Sequence, residues 1–160
     1  SHRKEAPTEF VYTLSLKARI LLMEGHEEVA KAKVCVQEAL ENIPQEIMFD
    51  EVSEVYIAAC EVAMAERRWQ ESLEYALKSV RPDSAATIAD KSGYMLLAEI
   101  YAELGDKTRT REYMNKAYDL MNRYATDHYQ SGLSQMEVLY ETEKKEARIA
   151  QLASEQRLWR

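Results

Sequence analysis

The stretch "KSGYMLLAEIYAELGDKTRTREYMNKAYDLMN", Lys91 to Asn122, decides how the rest of the chain is read. Tyr94, Leu97, Ala98 and Tyr101 recur every three or four residues, the period of one apolar helix face. Gly105 interrupts this run, and Met114 and Ala117 take it up again on a second helix. A small residue at 98 lets two helices approach closely, and Gly105 supplies left-handed backbone at the end of the first. The result is a helix pair with an apolar side it cannot bury alone, so similar neighbours are expected.

Two such neighbours lie upstream. In "SEVYIAACEVAMAERRWQESLEYALKSVRP", Tyr56 and Cys60 match Tyr94 and Ala98, Arg67 replaces the turn glycine, and Ser72, Ala76 and Ser79 form the second helix's inner face. In "TEFVYTLSLKARILLMEGHEEVAKAKVCVQEALENIP", Leu14, Ala18 and Leu21 precede Gly25, and Ala32, Val36 and Ala39 follow with the phase slipped by about two residues. Pro44 and Pro82 end the first two units, and Asp83 or Ser84 is expected to cap the helix after Pro82. The unit starts are about 38 to 42 residues apart.

The pattern resembles the tetratricopeptide repeat, W-x2-L-G-x2-Y followed by A-x3-F and a late Pro, with Ala98, Thr110 and Asn122 in place of its Gly, Ala and Pro. The resemblance implies an all-α superhelix over residues 1–140, with repeats at about 11–46, 53–86 and 91–124. From about 127, Tyr129, Leu133, Met136 and Tyr140 form one stripe, expected as a helix capping the third repeat.

Residues 141–160 form a charged extension of high helix propensity. Ile149, Leu152 and Trp159 offer a short helix-pairing seam, hence possible self-association. The run "YETEKKEARIAQL" looks like the juxtamembrane end of membrane-anchored sensors common in Bacteroidetes, whose extracytoplasmic array leads through one span to a histidine kinase or LuxR-like module. That resemblance implies a two-component or transcription-regulatory sensor region, periplasmic, with "RLWR" nearing the membrane interface. The alternative is a soluble, cytoplasmic adaptor or scaffold with a solvated last helix.

In the repeat family, groove-lining positions of each first helix are known. Carried over, they fall on Tyr12, Ser15, Arg19, Leu22 and Met23, then on Glu54, Ile57, Glu61, Met64 and Ala65. In the third repeat they fall on Ser92, Met95, Glu99, Ala102 and Glu103. Such a face is acidic with Met and Ile between the charges, and suits a basic or amphipathic protein segment. Ile57 and Met95 would be its apolar contacts.

Composition narrows the classes further. A formal net charge of -7 disfavours direct nucleic-acid binding, which needs a concentrated basic surface. His2, His26 and His128 are far apart, Cys35 and Cys60 lack zinc spacing, and no phosphate loop or nucleophile elbow occurs. No catalytic residue, cofactor or metal site is expected. Cys35 and Cys60 read as buried thiols, with a disulfide or redox pair as the alternative. "ERRW", Glu66 to Trp69, reads as a polar turn with Trp packing between repeats, and Tyr118, Tyr124, Tyr129 and Tyr140 as inter-helix packing.

Overall fold

The computed structural model describes residues 7–158, and among them all regular structure is helical. Six α-helices follow one another: α1 (Pro7–Glu24), α2 (Val29–Glu41), α3 (Phe49–Ala65), α4 (Trp69–Lys78), α5 (Lys91–Glu103) and α6 (Lys107–Leu158). The chain divides into two compact units, one up to Leu120 and one from Met121. In the first, short links after α1, α3 and α5 alternate with long ones after α2 and α4, which sorts the helices into consecutive pairs.

Two of the short links are built alike. Arg67 (φ 57°) and Gly105 (φ 78°) both occupy left-handed backbone just past a helix end. The Arg68 amide donates to the Ala63 carbonyl and the Arg67 amide to Met64; Asp106 donates to Tyr101 and Gly105 to Ala102. Each is a Schellman turn, which satisfies carbonyls that the helix end would leave open. Arg67 takes the place where the sequence pattern wanted glycine, and an L side chain there costs about 1 kcal/mol or more. Gly25 turns differently, at φ 139°, and the phase slip in the first pair falls at this link.

Packing rests on small residues where helices cross. Ala18, Ala32, Ala39, Ala58, Ala59, Ala63 and Ala76 are buried, as are Cys60 and Ala98 at the positions expected to be small. One cluster joins Ala18, Ala32, Cys35 and Val36 to Ala58, Ala59 and Val62 of α3. Another joins Cys60 and Ala76 to Tyr94, Leu97, Ile100 and Tyr101 of α5 and to Ala117 and Leu120. Thus α3 buries one side against α1 and α2 and another against α4 and α5. Trp69 packs against the second cluster, as the "ERRW" reading expects, while Arg68 pairs with Glu66 and Glu71.

On α6 the inward residue is Tyr113, stacked on Tyr101 with ring centroids 5.6 Å apart; Met114, expected to face inward, is exposed. Buried serines keep their hydroxyls bonded. Ser53 donates to the Ser79 carbonyl at 2.6 Å and Ser72 to Trp69 at 2.7 Å, so their burial leaves no desolvated donor.

The link from α4 to α5 is fastened by Asp90, buried to 1% exposure. Its carboxylate accepts from the Arg81 amide (3.1 Å), the Arg81 guanidinium (3.2 Å) and the Thr87 amide (2.8 Å). Arg81 also pairs with Asp50 and lies 4.5 Å from the Phe49 ring centre, tying the start of α3 to the link. The capping expected of Asp83 or Ser84 is done by Thr87 and Asp90 instead; Asp83 binds Lys116 at 3.1 Å and accepts from the Tyr94 hydroxyl at 3.2 Å.

In the second unit, the helix runs without a break through the region where a separate capping helix was expected from about 127. Helix propensity carries the chain through, with Gly132 its weakest residue. Tyr129, Leu133, Met136 and Tyr140 are exposed. Tyr118 and Tyr124 are exposed too, so the inter-helix packing expected of these tyrosines is not found; Tyr124 sets its ring edge-on to His128, 4.1 Å away.

Two substitutions test this packing. A Cβ on Gly93 would come within 2.4 Å of Val80 Cγ1 and 2.8 Å of Ser79 Oγ, so Gly93→Ala should destabilise by about 1–3 kcal/mol in urea unfolding. Arg67→Gly should instead stabilise by about 0.5–1 kcal/mol, by relieving left-handed strain. Equal effects of both variants would contradict the packing described.

Candidate functional site

The first-helix positions singled out in the sequence meet at the α1–α3 contact. Arg19 of α1 reaches across to α3, 3.3 Å from Glu54 Oε2 through its Nη1 and 3.3 Å from Glu61 Oε1 through its Nε. Beside it opens a cleft of about 490 Å³ lined by Arg19, Leu22, Met23, Gly25, His26, Val29, Glu61 and Ala65. Five of these lining residues, Arg19, Leu22, Met23, Glu61 and Ala65, are among the carried-over groove positions. Gly25, His26 and Val29 come from the link and the start of α2; Gly25 had marked the turn but not its place beside the groove.

The cleft combines an apolar floor with a strained charge balance. Met23 is 87% exposed at its rim. Burial pushes the Glu61 carboxyl above the usual carboxylate range, the nearby Arg19 opposing this and the charges of Glu54 and Glu99 adding to it. Desolvation outweighs the ion pair, so Glu61 lacks compensating positive charge. In the folded chain its protonated form is favoured relative to the unfolded chain; ionised Glu61 therefore lowers stability at neutral pH, and the loss is recovered as pH falls through its raised value.

Other expected positions lie differently. Met95, Glu99 and Glu103 are exposed on α5, and the charge of Glu99 reaches both Glu61 and Cys60. Tyr12 is exposed but lines a separate cleft of about 310 Å³ with Thr8, Glu9 and Glu51. Met64 is half-buried, packed on the core with its Sδ 3.8 Å from Cys60 Sγ.

Ile57 is a correction: at 4% exposure it is a core residue and no partner can reach it. Helix α3 is covered on two sides, so its accessible strip is narrower than the family template implies. Ser15 is likewise buried, its hydroxyl donating to the Val11 carbonyl at 2.9 Å. Of the expected pairing seam, Ile149 and Leu152 are exposed, and Trp159, like His2, lies outside the described residues.

Cys35 and Cys60 are free and buried, which removes the disulfide alternative. Burial first, then the charges of Glu61 and Glu99, pushes the Cys60 thiol up to about 12.

Two outcomes follow from burial. Neither thiol should react with a water-soluble disulfide reagent at pH 8 until denaturant is added, because both are shielded by burial and at Cys60 the reactive thiolate is also suppressed; prompt reaction of Cys60 in the folded chain would contradict its burial. Ile57→Asp should cost about 3 kcal/mol or more and lower the unfolding midpoint, whereas Met95→Asp should leave it nearly unchanged.

Compared with protein-family models, with curated proteins and with solved structures, the chain matches none.

Proposed function

We propose that the chain is a non-enzymatic protein-binding module of tetratricopeptide type, whose α1–α3–α5 face takes a basic, amphipathic segment of a partner protein. The observation that carries this reading is the cleft beside Arg19: a recess lined by the apolar Leu22, Met23, Val29 and Ala65 and by one carboxylate, Glu61, which is desolvated and shares Arg19 with Glu54. A Lys or Arg side chain brought to Glu61 would supply that charge, while its aliphatic stem covered Leu22 and Met23. Support for the repeat arrangement comes from the three helix pairs, the matching turns at Arg67 and Gly105, and the buried small residues Cys60 and Ala98.

In a larger protein such a module would serve as sensor or scaffold of a regulatory assembly. The sensor context rests on the likeness of the terminal stretch alone. No described helix is long and apolar enough to cross a membrane.

Titration with a synthetic 15-residue Leu/Lys amphipathic peptide tests the reading, with a Leu/Glu peptide of the same pattern as control. The Lys peptide should bind, more weakly at high salt, and Glu99→Lys with Glu103→Lys should weaken it about tenfold or more without loss of helicity. Binding should also weaken as pH falls and Glu61 protonates. Glu61→Gln should reduce binding while changing stability by no more than about 1 kcal/mol, since the lost ion pair is partly exposed. Equal binding of the Leu/Glu control, or no effect of the charge reversals, would overturn the proposal.

A further inference from the structure

Beyond Leu120, α6 continues to Leu158 with no buried residue. Most helical stability in proteins comes from packing an apolar face, and this segment also carries Gly132, about 1 kcal/mol worse than Ala inside a helix. At 100° per residue, Tyr129, Gly132, Met136, Leu139 and Tyr140 fall on one side of the helix. Tyr129, Met136, Leu139 and Tyr140 are 69%, 67%, 59% and 64% exposed. The same side continues through Glu143, Ala147 and Ala150. Tyr129 near one end is bulky, while Ala147 and Ala150 near the other are small.

We propose that residues 121–158 pair with the same segment of a second copy of this chain, antiparallel, about a twofold axis between Leu139 and Tyr140. In that alignment Leu139 faces Tyr140, Met136 faces Glu143, the small Gly132 and Ala147 face each other, and the bulky Tyr129 meets the small Ala150. The intervals along the seam read the same from either end, as a twofold contact requires.

Charge selects the same direction. Between Arg123 and Lys144 every charged residue is acidic: Asp127, Glu137, Glu141 and Glu143. From Lys144 to Leu158, Lys144, Lys145, Arg148 and Arg157 outnumber Glu146 and Glu155. Antiparallel copies therefore set Glu137 of one beside Lys144 and Arg148 of the other. A parallel, in-register pair would place Glu143 against Glu143 within the seam, crowd Tyr129 against its copy, and leave voids between the facing Ala147 and Ala150 residues. Ile149 and Leu152 lie on the opposite side of the helix and take no part in this seam.

The pairing is independent of peptide binding on the first unit. It sends the two C-terminal ends in opposite directions, which suits a scaffold joining two partners.

Sedimentation equilibrium on the full chain tests the pairing. A mass of two chains at micromolar concentration is expected, with Tyr129→Glu and Met136→Glu together weakening association tenfold or more; a single-chain mass at all accessible concentrations overturns the inference. Direction is read by disulfide trapping with Ala125→Cys and Ser154→Cys, both exposed positions that face each other in the antiparallel seam. A mixture of the two variants should cross-link while neither does so alone, the buried Cys35 and Cys60 staying silent in the parent chain. Cross-linking of each variant with itself would show a parallel pair and overturn the proposed arrangement.

Discussion

Everything in the first unit depends on α3 being covered from two sides. A helix so placed can be approached closely only if its crossing points are small, and Ala58, Ala59, Ala63 and Cys60 meet that condition. Larger residues are displaced to where they fill one cluster or the other, as Val62 and Leu97 do. The same crowding explains Gly93, whose missing Cβ lets α5 pass against Val80 and Ser79. Asp90 then locks the longest link, with a buried carboxylate whose partners come from the Arg81 guanidinium and two backbone amides. Removing one partner of such a buried set would leave uncompensated charge, a large penalty.

The functional consequence is a narrow accessible strip. Between α1 and α3, the cleft at the edge of the crossing is lined by Arg19, Glu61 and the apolar Leu22, Met23 and Ala65. Arg19 serves two carboxylates at once, so neither receives a full countercharge, and burial of Glu61 sharpens the deficit. Such a site has something to gain from an incoming cation that a fully solvated acidic face would not.

Helix content and the pair-by-pair organisation were legible because periodicity, Gly25, Gly105, Pro44 and Pro82 all mark local structure. Arg67 could be placed by register alone, and it adopts the turn backbone despite its side chain. Ile57 was misread because a template assigns faces from one pair, whereas burial of α3 arises from its neighbours on either side. Met114 gave way to Tyr113 because Tyr113 stacks on Tyr101 and tilts against Tyr94, which sets the local rotation of α6. The capping role of Asp90 is local, through the Thr87 amide three residues earlier, whereas its pairing with Arg81 spans the link and was hidden. The Arg19–Glu61 contact was equally invisible, since it spans two helix pairs.

The most direct test of the central claim is an NMR map of backbone amide shifts during titration with the Leu/Lys peptide. The account predicts the largest changes along one face, around Arg19, Met23, Glu61, Ala65 and Glu99. Changes concentrated on α2 and α4, with the Glu61 region unmoved, would contradict it.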